Sequence, residues 1–333
     1  MERLNKPLLY ITYKRFQTAV KVFEQIRKVK PYKLYIFSDG PRDEEEKIKV
    51  NKVRNYIINN IDWDCEVKTR FMDKNLGLGF GVNSAIDWFF SHEDEGIILE
   101  DDCLPSDSFF RFCSELLDLY KDNKQVGIIQ GFNPFPEENY PYSYWFSKYD
   151  IKWGWATWKD RWQYQDMYTK DWPETRKTYF LDKISNNNIL IKLWWNAIFD
   201  EIHRHPNITW DTQFTYQFLK RGLLALTPKN NLIIHIGYGD EATTFKFNIP
   251  NYIRELSLQE IEFPLTHPEK LITNANYDKL VEQIHYEIGI PNVLKLQIKN
   301  ILDSNKYTRD TILPALKNIY KKYKKFKFSF DKQ

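Results

Sequence analysis

The chain has 333 residues, 48 Lys and Arg against 45 Asp and Glu, a formal charge of +3 and 17% aromatic residues. That length suits one large α/β domain, with or without a C-terminal extension, and the 42% hydrophobic content is enough for a sizeable core. Near-cancelling charge argues against nucleic acid as a bulk partner. Cys65, Cys103 and Cys113 form neither a paired framework nor a metal-like spacing, which fits reduced thiols in a reducing compartment. No apolar run reaches the roughly 18 residues of a membrane span, and the first residues lack the apolar stretch of a signal peptide. The expectation is a cytoplasmic protein, or one peripheral on the inner face of a membrane.

In chain order, residues 7–15, "PLLYITYKR", read as a first buried strand running into polar residues. Residues 18–29 place Val22, Ile26 and Val29 at helical spacing, with Thr18 available as N-cap. Residues 33–41, "KLYIFSDGP", are a second strand stopped by Asp-Gly-Pro. Residues 43–61 predict a helix with acids in its first turn and a Val50, Val53, Ile57 stripe. Residues 65–72 predict a third strand, residues 79–92 a helix, residues 96–100 a fourth strand and residues 108–121 another helix. Alternating strands and helices imply a doubly wound, Rossmann-like, mostly parallel sheet. The stretch to about residue 168, dense in Trp, Tyr, Phe, Pro and Gly, reads as an irregular binding region rather than a second core. Residues 192–202 predict a helix and "NLIIHIGYG", residues 231–239, a strand. Beyond residue 250 the pattern turns helical and basic, with a lysine-rich tail that offers contact with an anionic membrane.

The stretch "GIILEDDCLP" raises the functional question. A buried run ends in three carboxylates, Glu100, Asp101 and Asp102, whose mutual repulsion calls for a positive partner. Ligands of parallel α/β sheets bind outside the carboxyl ends of the strands, where Thr12 to Arg15, Ser38 to Gly40 and the triplet would share one rim. Mg²⁺ or Mn²⁺ takes one or two such carboxylates and completes its shell with water and phosphate. Along an extended chain Glu100 and Asp102 point one way and Asp101 the other, so one ion would not take all three. Capping of the next helix is the bland alternative.

With these residues in hand, "DKNLGLGFGVNSAIDWFFSHEDEGIILEDDCLPSDSFFRF" resembles the nucleotide-binding half of a GT-A glycosyltransferase. It is most similar to the N-acetylglucosaminyltransferase I-like group and its bacterial relatives, whose "EDD" is followed by Phe-Phe. "KWGWATWKDRW" resembles an acceptor-side segment, and residues 208–244 a segment that supplies the catalytic base and closes the site. The resemblance implies a GT-A domain over 1–250, split into a nucleotide half (1–110) and an acceptor half (111–250), followed by a helical basic extension (251–333). It implies a metal-dependent, inverting transferase moving a sugar from a nucleotide-diphosphate donor, UDP-linked by preference, to a glycan or lipid-linked glycan in surface polysaccharide synthesis.

The same resemblance assigns roles. Thr12, Arg15, Asp39, Asp73, Lys74 and Asn75 would surround the nucleotide, with Glu100 and Asp101 near the ribose and the waters of the ion. Asp102 would ligate Mn²⁺ or Mg²⁺; His235 is a second candidate, with a satisfied core histidine the favoured reading of that position. Asp211 occupies the position of the general base and is alternatively a helix cap, while Asp240 and Glu241 are rival bases and acceptor contacts. Trp153, Gly154 and Trp155 would face the acceptor sugar, although bulky aromatics usually fill cores. The glycines at 77, 79 and 81 start a helix whose N-terminus favours an anion; their spacing is not that of a dinucleotide site. Two other readings stay open: a sugar nucleotidyltransferase, which would carry a glycine-rich loop after the first strand that "TYKRFQTAVKVF" lacks, and a non-catalytic sugar-binding protein.

Overall fold

The computed structural model describes residues 3–238 and 250–304. Four parallel strands open the main sheet: β1 (Leu8–Thr12), β2 (Lys33–Ser38), β3 (Glu66–Phe71) and β4 (Glu95–Glu100). Helices α1 (Phe16–Val29), α2 (Glu44–Asn59) and α3 (Leu78–Phe90) make the crossovers, and α4 (Asp107–Tyr120) follows β4 after the short β5 (Cys103–Pro105). Period-2 alternation sends Leu8, Tyr10, Leu34, Ile36, Ile97 and Leu99 to one apolar layer and Leu9, Ile11, Tyr35, Phe37 and Ile98 to the other. Being covered on both faces explains why these strands read as continuous apolar runs. The expected α/β, Rossmann-like sheet with flanking helices is therefore what the chain forms.

The helix starts differ slightly from the sequence reading. Thr18 is not the cap of α1: Arg15 is the N-cap residue, and Thr18 Oγ1 donates to its carbonyl at 3.2 Å. Asp43 does cap α2, accepting from Glu46 N at 2.8 Å.

The aromatic stretch is where expectation fails most clearly. It supplies β6 (Val126–Gln130), β7 (Tyr144–Ser147) and β8 (Trp155–Trp158), which with β9 (Leu224–Pro228) complete an eight-stranded sheet in the order β3-β2-β1-β4-β8-β6-β9-β7. Strand β8 runs antiparallel between β4 and β6, so this half is mixed. Trp155, read as facing an acceptor, instead fills a face of the sheet at 1% exposure, as Trp145 does, in keeping with the usual core place of bulky aromatics. The strand expected over 231–239 is only the three-residue β10 (Ile233–His235), antiparallel to β5.

The described residues separate into two compact units, residues 3–167 with 207–238 and 250–279, and residues 168–206 with 280–304. This partition differs from the boundary read near residue 250: residues 250–279 pack with the sheet, with Tyr277 against Trp145 at 5.2 Å between centroids. In the second unit, helix Ile189–Arg204 pairs with helix Ile290–Ser304, where Asn300 Nδ2 donates to Asp200 Oδ2 at 2.9 Å and Gln297 Nε2 to the Leu193 carbonyl at 2.7 Å. The helical character expected after residue 250 thus includes a helix that belongs with 189–204 rather than standing apart. No helix among the described residues is long and apolar enough to cross a membrane. The lysine-rich tail, like Asp240 and Glu241, lies outside the described residues.

Candidate functional site

At the carboxyl ends of β1, β2 and β4 the sheet opens into a cleft of about 540 Å³. Thr12, Arg15, Asp39, Asn75, Glu100 and Asp101, all read from the sequence, line it. The strand order explains why: β1 lies between β2 and β4, so three polar strand ends become one rim. Thr12 is turned partly inward, its Oγ1 donating to the Phe37 carbonyl at 3.1 Å.

The positive partner of the acidic triplet is Arg15. Its Nη2 donates to Asp101 Oδ1 and to Asp102 Oδ2, each at 2.6 Å, and Tyr13 N donates to Asp101 Oδ2 at 3.0 Å. The alternation argument fails here, because β4 ends at Glu100 and Asp101-Asp102 form a turn that brings both carboxylates to one guanidinium. Burial raises the pKa of Glu100 well above the ordinary value, and the charges of Asp102, Asp101 and Asp211 push the same way. Burial likewise raises Asp101, against the charge of Arg15. Asp102 ends below the usual carboxylate range: burial opposes ionisation, but the hydrogen bond and charge of His235 and the charge of Arg15 outweigh it.

His235 comes to Asp102 through strand pairing. Antiparallel β10 sets His235 opposite Cys103, and His235 Nε2 lies 3.2 Å from Asp102 Oδ2. Ile236 N donates to the Asp102 carbonyl at 2.8 Å. Gly237 then passes so close that a Cβ there would lie 2.5 Å from Arg15 Nη1 and 2.6 Å from Asp102 Oδ2, so no larger residue fits without displacing the acidic turn. The ring of Trp153, half-buried, lies 4.7 Å from that of His235 between centroids. His235 is thus mostly buried and paired with Asp102, an arrangement open both to a satisfied interior histidine and to a metal ligand. Among the described residues no three His, Cys, Asp or Glu side chains are grouped to hold an ion by themselves. Asp102 and His235 together offer an oxygen and an imidazole, a partial shell that the phosphates of a nucleotide would complete for Mn²⁺ or Mg²⁺.

On the β2 side, Asp39 Oδ1 accepts from Gly40 N at 2.8 Å and Leu76 N at 3.0 Å, and Oδ2 from Asn75 Nδ2 at 2.9 Å. Burial raises its pKa in spite of these bonds. Asn75 is the member of its loop that enters the cleft; Asp73 and Lys74, expected beside it, are exposed on the outside of the loop. The start of α3 borders the cleft through Gly77, Leu78 and Gly81, but one N–H of its first turn is taken by the chain itself. Asn207 Oδ1 accepts from Phe80 N at 2.8 Å, and a Cβ on Gly79 would lie 2.9 Å from the Asn207 backbone, so this glycine makes room for that crossing.

Asp211 begins the helix Asp211–Arg221. Its Oδ1 accepts from Thr212 N at 2.8 Å and from Thr209 Oγ1. That is not the reach to the second or third helical N–H that a capping side chain makes. Trp210 stacks on Trp155 at 5.9 Å, and Lys152 Nζ donates at 3.0 Å to Thr215 Oγ1, which donates at 3.2 Å to the Asp211 carbonyl. Trp155 therefore supports this helix from inside the core and has no face for a sugar, contrary to the sequence expectation. Gly154 is likewise interior, with a Cβ there 2.4 Å from Ile233 Cδ1.

Sequence reasoning placed Lys14 on the rim but missed the charged residues Arg42, Glu46 and Lys49 of the α2 side. Lys14, Arg42 and Lys49 also line the cleft, and Glu46 gathers the first two. Glu46 accepts from Lys14 Nζ at 2.7 Å, Arg42 N at 3.0 Å, Arg42 Nη2 and the Tyr13 hydroxyl. The Arg42 bonds in particular hold the carboxyl of Glu46 below its ordinary range. The signal was available: "EEEK" opening a helix that follows a strand end.

No family model matches the chain, and no curated protein matches it. Among solved structures, HddC from Yersinia pseudotuberculosis superposes with a TM-score of 0.29 at 9% identity, covering 46% of this chain and 77% of that one. A UDP-glucose pyrophosphorylase complexed with UDP-glucose superposes with a TM-score of 0.34 at 9% identity, covering 67% and 90%. Superposition at this level bears on neither family nor function.

Proposed function

We propose that the cleft binds a nucleotide-diphosphate sugar and that the chain transfers the sugar to a hydroxyl of a glycan or lipid-linked glycan, as a metal-dependent, inverting glycosyltransferase of the GT-A type. The observation that carries this reading is the acidic turn after β4, set at a cleft lined by Thr12, Arg15, Asp39, Asn75, Glu100 and Asp101. UDP is the favoured carrier. Asp39 and Asn75 would face the base and ribose. Asp102, with His235, would hold Mn²⁺ or Mg²⁺, which when bound would neutralise the departing diphosphate. Asp211 would take the proton of the acceptor hydroxyl. Glu100, whose pKa burial and then the neighbouring carboxylates push upward, would face the donor sugar or ribose. Trp153, beside His235, is the aromatic that remains for the acceptor. The basic tail would meet the anionic inner face of a membrane, where a lipid-linked acceptor resides.

A sugar nucleotidyltransferase is the second reading. It is favoured by the four cations Lys14, Arg15, Arg42 and Lys49 around the cleft, which suit a triphosphate. Calorimetry with Mn²⁺ separates the two: tighter binding of UDP than UTP supports the transferase, and the reverse order supports the nucleotidyltransferase.

A further inference from the structure

Arg15 occupies the place where a cation would contact Asp102. Its Nη2 lies 2.6 Å from Asp102 Oδ2, the same oxygen that faces His235 Nε2 at 3.2 Å. A divalent ion bound to that oxygen sits about 2.0–2.2 Å away and repels a guanidinium nitrogen at such range. The two charges therefore compete for this carboxylate. The backbone of Arg15 is fixed as N-cap of α1, its carbonyl accepting from Ala19 N at 3.0 Å, and its side chain, 18% exposed, lines the cleft.

We propose that Arg15 is an exchangeable counter-ion that couples metal binding to nucleotide binding. Without ligand it neutralises Asp101 and Asp102 and suppresses binding of the ion alone. When the nucleotide arrives with the ion, the ion takes Asp102, and the released guanidinium, still beside Asp101, turns its fork toward the diphosphate oxygens. The acidic turn is thereby never left uncompensated, and neither ligand binds well without the other. This inference rests on the metal-dependent reading of the cleft.

The test is Mn²⁺ binding followed by electron paramagnetic resonance, with and without UDP, for the native chain, Arg15→Gln and Arg15→Lys. In the native chain UDP should tighten Mn²⁺ binding at least tenfold. Arg15→Gln should bind Mn²⁺ alone at least tenfold tighter than the native chain does and lose most of the coupling. Arg15→Lys keeps a charge to compensate the two carboxylates, so it guards against a variant that fails to fold, and should fall between. Native coupling with no tighter binding of Mn²⁺ alone by either variant overturns the role of Arg15 and leaves the metal site standing. Absence of Mn²⁺ binding by the native chain with UDP overturns both.

Discussion

Replacing Asp211 by Asn separates chemistry from architecture. The hydrogen bonds to the Asp211 side chain run to Oδ1, from Thr212 N, Thr209 Oγ1 and, at 3.3 Å, Thr212 Oγ1, and an asparagine oxygen can accept in the same place. The stacking of Trp210 on Trp155 and the Lys152–Thr215 link to the Asp211 carbonyl do not involve the side chain. What is lost is a negative charge in the first helical turn, about 0.3–1 kcal/mol, or roughly 1–4 °C in Tm for a unit of this size. Removal of a general base slows reaction by about 10²–10⁴-fold, roughly 3–5 kcal/mol of barrier. The assay is UDP release from a panel of UDP-sugars with p-nitrophenyl glycosides as acceptors, run beside UDP calorimetry on the same preparation. The expected result is turnover at least a hundredfold down with UDP affinity within about twofold of native. Turnover within a few-fold of native refutes the assignment, and its loss in Asp240→Asn or Glu241→Gln moves the role to that segment.

Trp155→Ala should lower unfolding free energy by about 3–5 kcal/mol in urea titration, as for other buried aromatics, while Trp155→Phe keeps turnover; loss of turnover in a stable Trp155→Phe would restore an acceptor role. Gly237→Ala pushes a methyl onto Arg15 and Asp102, so UDP binding with Mn²⁺ should weaken at least tenfold while circular dichroism stays native. Unchanged affinity would show that the acidic turn gives way freely. Glu46, held low by Arg42 with Lys14 and Tyr13, confers stability that is present above about pH 4 and drains away as pH falls through its lowered folded value. Glu46→Gln should therefore be less stable at pH 7 and show a shallower loss between about pH 4 and 2; an unchanged acid limb in urea titrations contradicts this.

The first half of the sheet was legible because β1, β2 and β4 are buried on both faces and alternate with helices, which leaves unbroken apolar runs such as "GIILE" and "KLYIF", while β3 is the more exposed edge. Their shared rim followed from topology alone, and Thr12, Arg15, Asp39, Asn75, Glu100 and Asp101 met there. The mixed half was not legible: β6, β7 and β8 are short, and β8 is inserted antiparallel between β4 and β6, a pairing that no local pattern encodes. Trp155 looked like a binding surface because composition cannot tell a stacked core tryptophan from an exposed one. The contact of His235 with Asp102 depends on the register of β10 against β5, and the compensation by Arg15 on a turn that breaks period-2 alternation. Both are tertiary facts carried by residues far apart in the chain.

The most direct test of a metal-dependent nucleotide-diphosphate site is calorimetry of UDP with the native chain and with Asp102→Ala, each in Mn²⁺ and in EDTA. The account predicts binding by the native chain in Mn²⁺, at least tenfold weaker binding in EDTA, and no response to Mn²⁺ in an Asp102→Ala variant that remains folded by circular dichroism. UDP bound equally well in EDTA, or equally well by the folded Asp102→Ala variant in Mn²⁺, would contradict it.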